Sequence, residues 1–467
     1  MRLAERLLSC RQMVKPEQLR GEIAPSKEIY KRTLQMAWPA AIESVLVTLV
    51  GAVDTIMVGS IGAEAIAAVG ITNQPKLILM ALIMSLNVGV TAVVARRRGE
   101  QNRQGALACL KQSLMISAGI SLVLSVLGFV FARPFLRVAG AGEDTIAPAV
   151  TYFRVLMCGI MLTSISLTIN AAQRGCGNTK ISMRTNLTAN LINVIFDYLL
   201  IGGHLGFPRM GVAGAALATV LGNLVACVMS IWSVTRKDTF LTIKWCSRWS
   251  FDKKTVKSVM NISSGAMVEQ VFMRVGFFAY AAIVARLGTI AFSTHQICMN
   301  ILSLSFSFGD GLSVAAASLV GQSLGARRSD MAIIYGKTAQ RIAFAASTVL
   351  FFLFLFGRHM LMRLFTSDAE IIAMGTVILV ITAFTTHAQT SQVVMTGSLR
   401  GAGDTKFVSL TAFLSIAIVR PMLTWLLCFV CSFGLPGAWI ALLIDQFMRM
   451  SINLARFSKG KWTTKVI

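Results

Sequence analysis

Charge is scarce in this chain. Lys, Arg, Asp and Glu make up 14% of its 467 residues, against roughly a quarter in an ordinary soluble domain. That deficit excludes a water-soluble globular chain of usual composition. Acid is scarcer than base, with 20 Asp and Glu against 44 Lys and Arg. Only four histidines occur, His204, His295, His359 and His387, and their spacing suits no metal. His387 alone is a candidate for a cavity role, and core packing is its plainer reading. The sequence contains no G-x-x-x-x-G-K-[ST] loop, which excludes an ATP-driven pump of that type. No nucleophile–base pair or metal constellation is present, so no enzymatic chemistry and no cofactor are expected. The N-terminal 30 residues hold no apolar core, so no cleavable signal peptide is expected.

What is abundant is apolar length. Hydrophobic residues form 55% of the chain, in runs such as SLMISAGISLVLSVLGFVFA from Ser113. About 20 apolar residues in a helix cross a bilayer core. Twelve spans are expected, near 33–58, 70–95, 110–132, 146–172, 181–203, 210–234, 256–284, 290–318, 336–357, 369–395, 406–431 and 435–455. The connections are short, which leaves no room for an inserted soluble domain.

The net charge of +24 invites a nucleic-acid reading. Its distribution argues against one. About three quarters of the 44 basic residues fall on one side of the predicted topology. That is the positive-inside pattern, and it puts both termini in the cytoplasm. The basic N-terminal extension is read as a solvated tail, with contact to anionic lipid as the alternative. Of the nine cysteines, Cys428 and Cys431 form a C-x-x-C. No histidine lies near it, so it is read as packing.

The chain repeats itself. RGCGNTK at Arg174 and RGAGDTK at Arg400 share five of seven residues, 226 positions apart. The same offset carries Glu43 to Glu269, Gly62 to Gly288 and Gly99 to Gly325. GVAGAALA resembles LPGAWIAL after a three-residue deletion. Each copy holds six spans, an even number, so both copies share one orientation. Parallel repeats suit transporters that open alternately to each side. Channels use repeats too, but no filter-like stretch is present. The turn itself is expected to sit between the fourth and fifth span of each half. Its glycines permit a tight bend, and Asn178 or Asp404 is expected to cap the next helix.

Charges inside spans are costly and are kept where a cavity or partner receives them. Five acids stand out: Glu43, Asp54, Asp197, Glu269 and Asp310. Glu43 and Asp54 return to one face of the first span, about 16 Å apart. Asn193 and Asp197 are i and i+4 on the fifth span and share a face. A cavity in that half could join Asp54, Asn193 and Asp197. Two carboxylates in a low-dielectric site do not both ionise cheaply, so the pair can take a proton. The pair could equally coordinate sodium, or simply tie helices together. Glu269 has Arg274 five residues on, so it serves either a substrate cation or a structural pair. Asp310 lies between Gly309 and Gly311 and is read as marking a break in the eighth span. Pro39 removes a helix hydrogen bond and permits a kink. The 24 Met and 27 Phe suit a promiscuous organic cavity, and suit lipid or helix packing as well.

Several phrases together resemble the multidrug and toxic compound extrusion (MATE) transporters. They are VDTIMVGSIGAEAIAAVG, VTAVVARRRG, QRGCGNTK, GVAGAALATV, ARLGTIAFSTHQI, LVGQSLGARR and LRGAGDTK. The likeness runs from about Thr33 to Asp445. It implies an all-α polytopic fold of two pseudo-symmetric six-helix bundles around an outward-facing cleft. It also implies export of organic, often cationic or amphipathic, compounds against inward H+ or Na+. In NorM- and DinF-like relatives an N-lobe site resembles Asp54, Asn170, Asn193, Asp197 and Thr219 here, with Pro39 fitting a kinked first span. Glu43, Glu269 and Gln389 are expected to line the cavity. The partner that relatives place opposite Glu269 falls near Gln389, which carries no charge. That departure favours the N-lobe as the coupled half, since Asp197 aligns with Leu423 and Asp54 with Tyr280.

The expected organisation is a basic extension at 1–32, an N-lobe at 33–234, a linker at 235–255, a C-lobe at 256–455 and a tail at 456–467. The expected protein is a plasma (inner) membrane antiporter, monomeric, contacting lipid and small organic substrates but no nucleic acid. A flippase for a lipid-linked precursor, or an exporter of one metabolite, is the alternative. A flippase would want a cationic cleft, and few span cations other than Arg274 and Arg420 are present.

Overall fold

The computed structural model describes residues 9–59, 61–236, 239–243 and 252–465. Part of the expected linker, Ser60 and both chain ends lie outside those residues. Among the described residues, twelve long helices make up the fold. The first six are α1 (Ser26–Gly59), α2 (Ala63–Gly99), α3 (Arg103–Val130), α4 (Glu143–Gly175), α5 (Thr179–Gly202) and α6 (Gly211–Thr235). The second six are α7 (Lys253–Ala285), α8 (Thr289–Gly325), α9 (Ser329–Phe356), α10 (Ala369–Gly401), α11 (Thr405–Val430) and α12 (Gly434–Ser458). Ten of them are long and apolar enough to cross a membrane. The other two, α5 and α12, carry Asn186, Asn190, Asn193 and Asp197, or Asp445, Arg449 and Asn453. Their polar residues lower the mean without shortening the helix, and Asn193, Asp197, Asp445, Arg449 and Asn453 are all buried.

The bounds reproduce the internal repeat. Adding 226 to the bounds of α2, α3 and α4 gives those of α8, α9 and α10. For α6 and α12 the offset is 223, while α5 and α11 still start 226 apart, which places the three-residue deletion between the start of α11 and α12. Most helices run several residues past the expected spans, because a helix satisfies its own backbone beyond the hydrocarbon edge.

The chain divides into two compact units, Ile42–Ser263 and Ser264 onward, the second including the described residues before Ile42. In the first unit α4 packs against α2, α3 and α6, and α5 against α6. In the second α10 packs against α8, α9 and α12. Gly175 and Gly401 explain the close approach. A Cβ on Gly175 would stand 2.8 Å from the carbonyl oxygen of Thr91. One on Gly401 would strike the carbonyl oxygen of Ala317, the residue 226 positions after Thr91. Each repeated turn therefore opens with the glycine that lets α4 meet α2, or α10 meet α8.

Three expectations need correction. Helix α8 runs unbroken through Gly309, Asp310 and Gly311, so Asp310 marks no interruption. Two glycines flanking one aspartate cost too little to break a 37-residue helix packed along α9 and α10. Neither Asn178 nor Asp404 caps its helix through its side chain. Asp404 is drawn instead to Arg456 at 2.9 Å and Lys465 at 2.6 Å. The described part of the N-terminal extension is no solvated tail. Cys10, Met13 and Val14 are buried in a core with Ile29, Tyr335, Phe457 and Trp462.

Helix α11 is irregular around Pro421. Pro421 has no N–H to give the carbonyl of Ala417. The stretch Phe413–Val419 is wound as π-helix, as is Leu426–Val430. Cys428 is buried in the latter and Cys431 is exposed at its end, so the C-x-x-C is not a paired site. No group of metal-holding side chains occurs among the described residues.

Candidate functional site

The first unit brings Asp54 of α1 beside Asp197 of α5, close enough for a hydrogen bond between the carboxyls when one is protonated. Asn193, one turn before Asp197, donates its amide N–H to Asp197 Oδ2 at 3.1 Å. Asp197 and Asn193 are buried and Asp54 half-buried. Oδ1 of each aspartate is shielded from solvent and has no partner among the described residues. Helix α2 brings Lys76, and α4 brings Tyr152, within electrostatic reach of the pair. Lys76 escaped the sequence reading, although a lone lysine in NQPKLILMALI was a visible signal.

Asn170 and Thr219 are engaged elsewhere. Asn170 donates to Ser166 at 3.5 Å and accepts from Ser230 at 3.3 Å, in a hydroxyl-rich seam between α4 and α6. Thr219 donates to the Ala215 carbonyl of its own helix. Helix α1 continues through Pro39.

The glutamates have arginine partners supplied by the repeated turn. Arg174 reaches Glu43 at 3.5 Å, and Ser182 and Asn186 also donate to that carboxylate. Arg400 grips Glu269 through two N–H groups, at 2.6 and 3.2 Å. The partner of Glu269 is thus Arg400 rather than Arg274, whose Nε is buried without a partner among the described residues. A helix separation of five residues turns Arg274 off the face of Glu269. A double-mutant cycle on Glu269→Ala and Arg400→Ala is expected to return a coupling of about 1–3 kcal/mol. The Glu43–Arg174 cycle is expected to return less, since that pair is longer and singly bonded. Equal couplings would contradict the geometry.

The second unit also buries a cluster that the sequence reading missed. Asp445 of α12 accepts from Ser415 and twice from Arg420, once at 3.1 Å from Nε. Arg449, one turn on, stands 3.6 Å from the same carboxylate. The Arg420 guanidinium lies over the rings of Phe277 and Tyr280, at 5.1 and 5.8 Å. Its signal was the i, i+4 pair of Asp445 and Arg449 in an apolar run. Gln389 is fully buried, with both amide ends lacking partners among the described residues. His387 packs between Phe344 and Phe351 and meets Thr348 at 3.2 Å, a packing role.

Two acid arrangements therefore differ in kind. The first unit keeps two carboxylates face to face. The second gives Glu269, Asp404 and Asp445 each a basic partner. This division lies within a duplicated frame, and the family comparison finds the same duplication. The MatE family model matches residues 39–199 and again 266–426.

The chain belongs to the MatE family.

This MatE chain is an integral multi-pass membrane protein of a transporter family. It is 30% identical to the probable multidrug resistance protein NorM of Thermotoga maritima, over 94% of each chain. It is 25% identical to the multidrug resistance protein MdtK of Edwardsiella ictaluri, over 93% of this chain and 91% of that one. Among solved structures it resembles an outward-facing multidrug resistance MATE family transporter, with TM-score 0.86 and 22% identity, covering 95% and 98% of the two chains. A MOP superfamily transporter from Pyrococcus furiosus is similar at TM-score 0.87 and 21% identity, over 96% and 98%. At such identities the structural likeness establishes the fold.

Proposed function

We propose that this MatE protein is a proton-driven exporter of organic compounds, cationic or amphipathic, coupled through Asp54 and Asp197. The observation that carries this is the arrangement of acids. Asp54 and Asp197 oppose each other without an arginine, whereas Glu269 and Asp445 are held in arginine pairs. A carboxylate already bonded to a guanidinium is a poor carrier of a cycling cation. A facing pair is a good one, because binding one cation relieves the repulsion.

Lys76 favours H+ over Na+. With both aspartates ionised, the ammonium leaves the trio one net negative charge, which a single proton cancels. A sodium ion held by the pair would also meet the charge of Lys76, and like charges repel more strongly in a low dielectric than in water. Proton entry cancels the net charge of the trio, the helices that carry it shift, and solute is released. Arg420 and Arg449 are engaged by Asp445, which speaks against a cationic cleft for a lipid-linked precursor. The distribution of base supports a plasma-membrane protein with both termini in the cytoplasm. We assign it as a monomer.

The test is transport in proteoliposomes over a panel of cationic dyes, with pH and sodium gradients imposed separately. A pH gradient is expected to drive uptake and a sodium gradient at constant pH to do nothing. Drive by sodium alone would overturn proton coupling, and no response to either would overturn antiport.

A further inference from the structure

The second unit holds a cavity of about 270 Å³ at the end of the bundle where α12 finishes. Its walls are α9 and α12, its floor is Met395 of α10, and the turn Arg11–Met13 closes it. The walls come together at Gly336, against which the ring of Phe457 packs. Two cations, Lys337 and Arg341, stand one turn apart on α9 and line the cavity. No acidic side chain lines it. Lys337 Nζ donates to the Met13 carbonyl at 2.6 Å, and Arg341 reaches the Tyr30 hydroxyl at 3.4 Å. Both cations thus stand at the rim of a cavity whose floor and far wall, Met395 and Phe457, are buried and apolar.

The surface beyond the rim is also apolar. Phe344, one turn past Arg341, is 57% exposed, and Phe447 and Leu454 of α12 are 42% and 39% exposed. Within a membrane span such residues face acyl chains. A site with two cations at the polar end and exposed apolar side chains on both flanking helices matches one chemistry, an anion carrying a hydrocarbon tail. Free phosphate would use the cations and leave the apolar wall idle. Charged peptide would find no backbone partners along two complete helices.

We propose that this cavity binds an anionic phospholipid, the headgroup phosphate between Lys337 and Arg341 and an acyl chain along Phe344 and Leu454. The lipid would lie under the N-terminal strap, whose Met13 shares Lys337 with the headgroup. The site does not depend on which ion drives transport.

The test is retention of lipid by the full-length protein through gel filtration, read by native mass spectrometry. The probes are dioleoyl-phosphatidylglycerol and dioleoyl-phosphatidylcholine. The glycerol lipid is expected to be preferred roughly 20- to 30-fold, the scale of two surface cations. Lys337→Gln with Arg341→Gln should erase the preference. Ser458→Trp, which fills the cavity but leaves both cations, should lower retention of the glycerol lipid. Equal retention of the two lipids, or unchanged retention in either variant, would overturn the proposal. So would thermal stabilisation by inorganic phosphate equal to that by phosphatidylglycerol, which would mark a simple anion site.

Discussion

Asp54→Asn and Asp197→Asn are each expected to lower pH-driven efflux roughly tenfold or more, the scale of an ordinary coupling free energy. Each variant keeps the shape of the side chain and removes the exchangeable charge. Asn193 can still donate to position 197, so the fold of α5 should hold. Substrate binding should persist, because nothing places the solute on these two side chains. The measurements are gradient-driven dye transport and equilibrium dye binding on the same preparations. Transport at the wild-type level in both variants would sink the coupling role. Lys76→Gln offers an internal contrast. It leaves two unopposed carboxylates, so transport should persist while its sensitivity to sodium rises. A sodium response unchanged from wild type would remove Lys76 from the argument for protons.

The second large effect is on stability. Asp445→Asn is expected to cost about 3–5 kcal/mol, the penalty for removing one partner from a buried ion pair. Asp445 is the shared acceptor of Arg420, Arg449 and Ser415, and its side chain and that of Arg420 have no solvent exposure. Two guanidiniums would then be buried beside a neutral amide. The ring faces of Phe277 and Tyr280 would recover only a small part of this through cation–π contact. Replacing all three residues together, Arg420→Met, Asp445→Leu and Arg449→Leu, should recover much of the loss, since apolar substitutes of similar volume need no counter-charge. Thermal unfolding in detergent, followed by size-exclusion fluorescence, measures both. A stable Asp445→Asn variant would mean that the cluster is hydrated and not dry.

Much of the architecture was legible in the sequence. The twelve expected spans coincide with the twelve long helices among the described residues, because a lipid-crossing backbone must satisfy itself as helix. The offset of 226 marks the duplication, and the helix bounds repeat it. Asn193 and Asp197 could be joined on paper, since i and i+4 on a helix are neighbours whatever surrounds them. Their meeting with Asp54, 143 positions earlier, depends on the packing of α1 against α5 and was only an inference.

The partners of charges were the least legible feature. Glu269 had a plausible mate five residues away in Arg274, yet its partner is Arg400, 131 positions on. Local spacing predicts local pairs, and a span's interior face is set by the neighbour it meets. The repeated turn shows this most plainly. From the sequence it is a bend with glycines and a basic edge. In the fold its arginine neutralises a membrane glutamate, and its first glycine admits the neighbouring helix.

The sequence alone determined the class, the count of spans, the duplication and the acids that needed explanation, because those follow from composition and period. The tertiary structure decided which acids are neutralised and which are left facing each other. That distinction rests on which side chains from distant helices converge within a few ångströms, and periodicity along one helix carries no record of it.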